Sequence, residues 1–494
     1  MSPTQHAQLP TLPVKEWEGR LFSGGWVSAA RRADTLEVFT GKPLLAVGEA
    51  SESDVRQAAA AAAVAQPSWA ARAPEERAEV LRRAAALLAQ PTPELVGWFI
   101  RESGAVQAKA EMEFGAASGE LAAAAELAQG AAALAELHSI QPDRTATANR
   151  VPLGVVGVIT PWNMPLMLAL RSVAPALAVG NAVLLKPDPN TPVVGGFLLA
   201  WLFEQAGLPN GLLHVLPGGA DTGTAVVEAP EVRMVSFTGS TAAGRVVARR
   251  AGELLKKVAV ELGGNNAFVV LQDADVEAAA AAGAWGSFVH SGQLCIAVGR
   301  HIVHRSIAER YVAALVDKAQ RLIVGDPSSS TTQVGPLINE RQLMKVRDIV
   351  ADTVTAGAQV ACGGKAEGLL HWPTVLTDVR PGMRAFDEEI FGPVAVVTVV
   401  DDTEEAVALA NATDYGLAAA VYGGSPEAAR TVAGRLNAGM VHINDQTVVS
   451  EPQLPFGGTG SSGNGGRFGG RASVEEFTEW RLTTESTPPR RYPY

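Results

Sequence analysis

Cysteine is scarce in this chain. Only Cys295 and Cys362 occur among 494 residues, too few for a disulfide framework, and no spacing of histidine with cysteine suggests a zinc site. We therefore expect no metal ion and a reducing, cytoplasmic environment. Basic residues are also outnumbered, 40 against 51 acidic ones, for a net charge of −11. An acidic surface argues against nucleic acid and anionic membranes as partners.

Long apolar segments are missing too. No run approaches the ~20 apolar residues that cross a bilayer, and residues 1–20, with Pro3, Pro10 and Pro13, lack the apolar centre of a signal peptide. The hydrophobic share of 47% and the charged share of 18% are instead typical of a folded protein with a large core. At 494 residues the chain exceeds the size of one core, so we expect two or three structural units.

The first part of the chain is predicted to be mostly helical. We expect residues 1–20 to form a loose arm, one helix to begin near Ser53–Asp54, a second to begin at Pro74, and an alanine-rich helix to cover 116–137. The second helix should bury a stripe formed by Val80, Leu81, Ala84 and Leu88.

Strands and helices alternate from residue 155 onward. The predicted strands are 155–160, 182–185, 212–216, 234–237 and 258–260, and the helices between them are 165–179 and 191–207. After Gly263-Gly264 the predicted strands lie near 267–271, 300–304 and 393–400, and the helices near 275–288, 307–322 and 340–356. This order predicts an α/β fold of parallel, helix-covered sheets, whose ligands bind at the carboxyl ends of the strands.

Cys295 is the residue around which we organise the functional interpretation. It follows a turn-prone Gly292-Gln293 step within an apolar region. A lone cysteine is more often buried and inert, as we expect of Cys362. Chemistry-bearing residues elsewhere in the chain favour a different role for Cys295, that of a nucleophile.

Three of these residues follow predicted strands. Asn163, in Pro161-Trp162-Asn163, offers an amide that can stabilise an oxyanion, although an ordinary turn would also explain it. Lys186 ends the second strand, where it suits a ribose hydroxyl or a phosphate. Gly239-Ser240 lead into a helix whose N-terminus can approach a pyrophosphate, but the spacing is not that of a dinucleotide fingerprint.

Two acids complete the set. Glu261, beside the glycines of Glu-Leu-Gly-Gly, is a candidate general base if apolar surroundings raise its pKa. Glu389 and Phe391 combine an acceptor for sugar hydroxyls with a ring that can back a flat ligand. None of these residues is decisive alone.

Together and in this order, the segments resemble the aldehyde dehydrogenase superfamily from about Phe22 to Thr484. The matching segments are Pro161–Pro165, Leu184–Pro187, Phe237–Thr241, Glu261–Gly264, Gly292–Cys295, Glu389–Pro393 and Pro455–Gly458. The resemblance implies a Rossmann-type cofactor domain (1–133 and 151–262), a second α/β catalytic domain (263–470), and a β oligomerisation arm and tail (134–150 and 471–494).

The resemblance also implies the roles of individual residues. Cys295 would be the nucleophile, Glu261 the general base and Asn163 the oxyanion amide. The cofactor, NAD with NADP tolerated, would be held by Thr160, Pro161, Trp162, Lys186, Gly239, Ser240, Leu262, Glu389 and Phe391. The substrate pocket would be formed by Met164, Leu168, Leu294, Ile296 and Phe456. Since relatives that pass the acyl group to coenzyme A lack the base, Glu261 favours hydrolysis to the acid.

Two departures from the common pattern refine the expectation. Pro189 stands where many relatives carry an acid that would repel a 2′-phosphate, which is why we expect NADP to be tolerated. Asn265 stands where lysine is common. Both features, with the glycine-rich stretch 461–470, look like the benzaldehyde and vanillin dehydrogenase branch, so we expect an aromatic aldehyde as substrate.

Alternatives remain open from the sequence. An aliphatic or semialdehyde dehydrogenase with a charged substrate would carry a cation near the pocket mouth. Arg171 either contacts the substrate, at such a charge or at a ring hydroxyl or carboxylate, or forms a structural ion pair. A thiol esterase would not need Lys186 or Glu389, and a non-catalytic homologue would not need Cys295 or Glu261. The resemblance further implies a homodimer or tetramer, with residues 479–483 adding a strand to a neighbour's sheet.

Overall fold

The computed structural model describes residues 11–130 and 134–494. Its strands are β1 (Arg20–Ser23), β2 (Trp26–Ser28), β3 (Arg31–Leu36), β4 (Pro43–Glu49), β5 (Leu134–Leu137), β6 (Arg144–Pro152), β7 (Val155–Ile159), β8 (Ala182–Lys186), β9 (Leu213–Val215), β10 (Val232–Thr238), β11 (Lys257–Glu261), β12 (Asn266–Val270), β13 (Val298–His304), β14 (Gln359–Cys362), β15 (Ala366–Glu367), β16 (Leu370–His371), β17 (Thr374–Thr377), β18 (Val394–Val400), β19 (Tyr415–Gly416), β20 (Ala418–Tyr422), β21 (Met440–Ile443), β22 (Thr459–Gly460) and β23 (Thr478–Ser486).

The α-helices are α1 (Val14–Trp17), α2 (Glu52–Ala70), α3 (Pro74–Leu88), α4 (Pro93–Ser103), α5 (Gln107–Gly130), α6 (Pro165–Ala178), α7 (Leu198–Gln205), α8 (Ala220–Glu228), α9 (Thr241–Glu253), α10 (Val276–Phe288), α11 (Arg305–Arg321), α12 (Glu340–Thr355), α13 (Arg384–Asp387), α14 (Thr403–Asn411), α15 (Pro426–Ala433) and α16 (Gly470–Phe477). A π-helix covers Val193–Phe197 and a 3-10 helix covers Val289–Gly292. Within the described ranges, no helix combines the length and apolar character needed to cross a membrane.

Two seven-stranded sheets form the frame. The first has the order β11-β10-β7-β8-β9-β1-β2, in which the first five strands are parallel. The second has the order β14-β17-β18-β13-β12-β20-β21 and is parallel except at β14. Fully buried β-branched runs such as 155–159 suit strands that are covered on both faces. The predicted α/β class with parallel sheets is confirmed.

A third, antiparallel sheet has the order β23-β6-β5. The predicted strand at 479–483 is confirmed within β23, but in the described chain it pairs with β6 of the same chain over nine positions, from Thr478↔Pro152 to Ser486↔Arg144. The predicted division of the chain into cofactor, catalytic and oligomerisation units stays a prediction.

Several boundary predictions were wrong. The helix predicted over 116–137 ends at Gly130, and Leu134–Leu137 is a strand because pairing with β6 overrides the helical preference of alanine; residues 131–133 lie outside the described part. The helix predicted to begin near Ser53–Asp54 is α2, which begins at Glu52. It is capped by Ser51, whose side chain forms a capping box with Asp54. Residues 11–20 of the predicted loose arm are packed, with Trp17 fully buried; residues 1–10 lie outside the described part.

The helix predicted to start at Thr191-Pro192 begins as the π-helix. Its Gly195 and Gly196 face Pro165 and Pro187 so closely that an added Cβ would stand 3.0 Å from Pro165 and 2.8 Å from Pro187. The π-helix therefore lies where the backbone is in close contact with the start of α6 and with the residue that follows β8. Helix α3 starts at Pro74 and buries Val80, Leu81, Ala84 and Leu88, as predicted.

Candidate active site

A strained turn precedes Cys295. His290, Ser291 and Gly292 have φ values of 51°, 55° and 68°, all in the left-handed region. Each non-glycine residue held there costs of order 1–3 kcal/mol. A side chain on Gly292 would strike the backbone carbonyl of Gly392, so glycine is required at this position. Such strain beside a thiol persists only if other contacts hold the turn.

Buried polar contacts supply that support. Ser291 Oγ donates to a backbone carbonyl of a neighbouring loop at 2.9 Å. Gln293 is fully buried, and its Oε1 accepts from the N–H of Ile338 at 2.9 Å. Asn266 Nδ2 donates to the carbonyl of Cys295 at 2.9 Å. The backbone around the thiol is therefore held from three directions.

The Cys295 thiol is partly accessible and lies in an environment that disfavours its charge. Burial raises its pKa to about 12, and the nearby carboxylates of Glu389 and Glu261 act in the same direction. The positive charge of Arg171 opposes them. Without ligands the thiol is thus protonated at neutral pH, and its activation needs a nearby base or added positive charge.

Asn163 lies between β7 and α6, next to the cysteine turn. Its side chain is 3% exposed, and Nδ2 donates to the carbonyl of Gln293 at 2.9 Å. The second N–H of that amide has no hydrogen-bond partner in the described part of the chain. The start of α6 is fixed by the buried Glu113, whose Oε1 accepts from the N–H groups of Leu166 and Met167 at 2.8 and 3.2 Å. Asn163 can therefore donate to an oxyanion formed at Cys295.

Glu261 ends β11 and is buried without a hydrogen-bond partner. Its side chain is 3% exposed, and neither carboxylate oxygen is hydrogen-bonded within the described residues. Burial raises the pKa of Glu261 well above its ordinary value, and the charges of Arg171 and Arg467 only partly offset this. A buried carboxylate with free lone pairs and a raised pKa is suited to take a proton from water.

The carboxyl edge of the first sheet gathers the predicted cofactor residues. Ile159 pairs with Lys186, so Thr160, which follows directly, lies at the same edge. The Thr160 hydroxyl is buried without a partner in the described chain, and the 7% exposed Lys186 has no ion pair there. Gly239 donates to the carbonyl of Glu261 at 3.0 Å, and Ser240 caps α9. Unpaired polar groups at a strand edge beside a helix N-terminus fit a dinucleotide.

The other predicted cofactor residues flank this edge. Glu389 Oε1 accepts from the N–H of Gly264 at 2.9 Å, and burial raises the pKa of Glu389 to about 7. Phe391 has a left-handed φ of 58° and packs edge-on against Trp162, with ring centroids 5.4 Å apart. Pro161 is half-buried beside Trp162. Leu262 is buried, and its N–H donates to the carbonyl of Ser462 at 2.9 Å.

A cavity of about 120 Å³ opens onto the thiol. All five predicted pocket residues line it together with Cys295 and Asn163: Met164, Leu168, Leu294, Ile296 and Phe456. The interpretation of the sequence missed six further lining residues: Met112, Ala116, Met167, Trp285, Val448 and Ser450. Met167 follows Met164 at helical spacing and could have been found, whereas the other five reach the cavity only through tertiary packing.

Arg171 also lines the cavity, and of the two roles considered for it the ion pair is present. Its Nε donates to Glu120 Oε1 at 3.2 Å, and its guanidinium lies 4.2 Å from the centroid of the Phe456 ring. Asn265, the other departure noted in the sequence, donates from Nδ2 to the carbonyl of Phe386 at 2.6 Å. Within the described ranges, no group of three or more His, Cys, Asp or Glu side chains is placed to hold a metal ion.

Comparison with known proteins identifies the family. A model described as the aldehyde dehydrogenase family matches residues 26–483. The chain belongs to the aldehyde dehydrogenase family. It is therefore an NAD(P)-dependent enzyme that oxidises aldehydes, as predicted.

Named relatives cover nearly the whole chain. A benzaldehyde dehydrogenase [NAD(+)] of Pseudomonas putida is 49% identical over 97% of this chain and 98% of its own length. A vanillin dehydrogenase of an Amycolatopsis species is 48% identical over 98% and 99%. A crystal structure of a salicylaldehyde dehydrogenase from Pseudomonas putida G7, complexed with salicylaldehyde, superposes with a TM-score of 0.93 at 33% identity, over 96% of this chain and 99% of that one.

Proposed function

We propose that this aldehyde dehydrogenase oxidises aromatic aldehydes to carboxylic acids. The observation that carries the proposal is the cavity on Cys295, whose lining is mostly apolar side chains. A benzene ring buried there gains about 25 cal/mol per Å² removed from water. The relatives named for benzaldehyde, vanillin and salicylaldehyde support the same class of substrate.

The first half of the reaction uses Cys295 and Asn163. The Cys295 thiol loses its proton to solvent, and the thiolate attacks the aldehyde carbon, so a C–S bond forms and the carbonyl oxygen becomes an oxyanion. The free N–H of Asn163 and the backbone N–H of Cys295 donate to that oxyanion, which is worth about 3–4 kcal/mol in a water-excluding site. A bound oxidised nicotinamide would supply the hydride acceptor for this carbon, and loss of the hydride would leave the substrate attached to Cys295 as a thioester.

The second half uses Glu261. Glu261 takes a proton from water as the water oxygen attacks the thioester carbon. The C–S bond then breaks, the carboxylic acid leaves, and Cys295 is restored. The unpaired oxygens of Glu261 support this role because they leave lone pairs available to water.

The residues at the carboxyl edge of the first sheet would hold the cofactor. Lys186 and Glu389 would bind ribose hydroxyls, Ser240 and the start of α9 the pyrophosphate, and Phe391 would lie beside the nicotinamide ribose. Thr160, Pro161, Trp162, Gly239 and Leu262 would complete the contact. Because Pro189 carries no charge, no carboxylate at that position repels a 2′-phosphate, so we propose that NADP is accepted beside NAD.

We further propose that the protein is a homodimer or tetramer working in a cytoplasmic environment. The exposed strand β23 carries Trp480 and Leu482, which are 57% and 63% exposed. Arg150 lies 4.3 Å from the Trp480 ring centroid, which fixes the indole on the sheet surface. Sedimentation of the wild type beside a Trp480→Ser variant would test whether this surface holds subunits together.

A panel of aldehydes tests the proposed reaction. Benzaldehyde, succinic semialdehyde and an aliphatic aldehyde are each offered with NAD and with NADP, and formation of reduced cofactor is followed. We expect benzaldehyde to be preferred by at least tenfold in kcat/KM, about 1.4 kcal/mol of transition-state binding. A tenfold preference for succinic semialdehyde would replace the aromatic assignment by a semialdehyde one.

A further inference from the structure

One cationic side chain, that of Arg171, lines the mostly apolar cavity. Among the lining residues in the described chain, Arg171 alone carries a charge. Its Nε donates to Glu120 at 3.2 Å, and its Nη2 donates to Met167 Sδ at 3.3 Å and to Ser450 Oγ. The guanidinium also lies over the Phe456 ring. Arg171 is therefore held in one orientation through Nε and Nη2, and its side chain lines the cavity.

The remaining nitrogen of that guanidinium can bind an oxygen atom of a substrate. Arg171 Nη1 has no hydrogen-bond partner within the described residues, and an arginine has no acceptor of its own. Ser450 Oγ accepts from Arg171, and its own O–H is not donated to any group in the described ranges. A hydroxyl placed between these two side chains would accept from Arg171 and exchange a second hydrogen bond with Ser450.

Glu120 decides what kind of oxygen is favoured. It lies on α5 four residues after Ala116 and eight after Met112, on the helix face that lines the cavity. The side chains of Glu120 and Arg171 are 8% and 6% exposed, so they form a buried pair. Burial raises the pKa of Glu120 and the charge of Arg171 opposes the change. Arg171 Nε and Glu120 Oε1 are 3.2 Å apart and form an ion pair, in which the carboxylate offsets the charge of the guanidinium.

The separation along α6 suits a substrate of one ring. Asn163 lies two residues before Pro165, the first residue of α6, and Arg171 lies six residues after Pro165, which is roughly 9 Å of helix rise. An aldehyde carbon bound at Cys295 and a substituent across a benzene ring span a distance of the same order. Because Cys295 and Arg171 line the same cavity, a ring substituent can approach Arg171 while the aldehyde is at the thiol.

We propose that Arg171 and Ser450 bind a hydroxyl group on the ring of an aromatic aldehyde, and that Glu120 excludes aldehydes bearing a carboxylate. This inference rests on the aromatic substrate proposed above. A hydroxyl gains hydrogen bonds and brings no charge. A carboxylate would lose its hydration beside a pair whose net charge is zero, so its desolvation is not offset.

Two substrates that differ by one carboxylate, and one isosteric variant of Glu120, test the exclusion of carboxylates. Turnover of benzaldehyde and of its para-carboxylate derivative is measured in the wild type, in Glu120→Gln and in Glu111→Gln, and the two kcat/KM values are expressed as a ratio, carboxylate over benzaldehyde. The Glu120→Gln variant keeps an acceptor for Arg171 but leaves the positive charge of Arg171 uncancelled, so we expect the ratio to rise at least tenfold. Glu111 is exposed on the same helix, and its variant should leave the ratio unchanged. Comparing ratios between proteins cancels the intrinsic reactivity of each aldehyde.

The hydroxyl contact has its own test, which also holds if Glu120→Gln does not fold. Benzaldehydes bearing a hydroxyl group are compared with those bearing a methyl group of similar size, at the para and at the meta position of the ring. For each position, the hydroxyl-to-methyl ratio of kcat/KM is compared between wild type and Ser450→Ala. We expect the ratio for at least one ring position to fall fivefold or more.

Unchanged ratios in Ser450→Ala at both positions, or an unchanged carboxylate ratio in a folded Glu120→Gln enzyme, would overturn the inference. Absence of benzaldehyde turnover in the wild type would instead count against the proposed function. The two failures are therefore distinguishable.

Discussion

Replacing Glu261 by glutamine should separate the two halves of the reaction. Glutamine keeps the shape of a side chain that is only 3% exposed and removes the charge that accepts a proton from water. Cys295 and Asn163 are untouched, so the thioester still forms. Loss of a general base costs about 10²–10⁴ in rate, or about 3–5 kcal/mol of transition-state stabilisation. We therefore expect the steady-state rate to fall by that factor while the first turnover persists.

Rapid mixing with benzaldehyde and NAD measures both phases. The Glu261→Gln enzyme should release one equivalent of reduced cofactor per active site in a burst, followed by the slow steady state. Acid quenching after the burst should leave a benzoyl group on Cys295, detectable by the mass of the intact chain. Glu253→Gln, which changes an exposed glutamate on α9, is the control and should turn over as the wild type does. Steady-state turnover within tenfold of wild type would show that another group activates the water.

The same variant has a predictable stability. The folded protein raises the pKa of Glu261, so it holds that proton more tightly than the unfolded chain does. Stability therefore falls as pH rises from the ordinary carboxyl value of 4.5 through the raised one, by about 1.4 kcal/mol for each unit of the shift. Glu261→Gln removes this cost, so it should unfold at a higher denaturant concentration than wild type at alkaline pH. The difference should vanish in acid below the ordinary value.

Three further predictions follow from the site. Asn163→Ala should lower kcat about 10²–10³-fold by removing one oxyanion donor, with intact folding checked by circular dichroism. Because burial raises the pKa of Cys295 to about 12, its alkylation by iodoacetamide in the cofactor-free enzyme should speed up about tenfold per pH unit across the neutral range; a plateau near neutrality would contradict this. Pro189→Glu should lower kcat/KM for NADP at least tenfold while sparing NAD, measured with a saturating aldehyde.

Local signals in the sequence were sufficient for the frame of the fold. The strand at 155–159 could be predicted from its β-branched residues, and the start of α3 from its proline. Both signals are local, because strand formation and helix initiation depend on residues that are close in the sequence. The resemblance implied a β arm at 134–150, but the local signals at Leu134–Leu137 predicted a helix, because the pairing of this strand with β6 depends on residues that come later in the chain. Its alanine and leucine carry no local preference for a strand.

In the candidate site, the identities of the residues could likewise be predicted from local motifs, but their environments could not. Motif order alone indicated Cys295, Glu261 and Asn163 as reacting groups, because each lies in a short segment typical of the family. Only the tertiary structure decided the environments that set their chemistry: the burial that raises the pKa values of Cys295 and Glu261, and the free N–H of Asn163. Desolvation depends on everything packed around a group, so no single segment can encode it.

The cavity shows most clearly which features could not be predicted from the sequence. Met164 and Leu168 could be assigned from their place on one helix face, and both line the cavity. The pairing of Glu120 with Arg171 joins two helices that are far apart in the sequence, and its effect on charge appears only once α5 and α6 pack together. The sequence by itself determined the family and the sheets, and it predicted the reacting groups. The tertiary structure alone decided the charge and shape of the cavity. Both arise from contacts between segments that are far apart in the sequence, and the residues of one segment do not show which other segment packs against it.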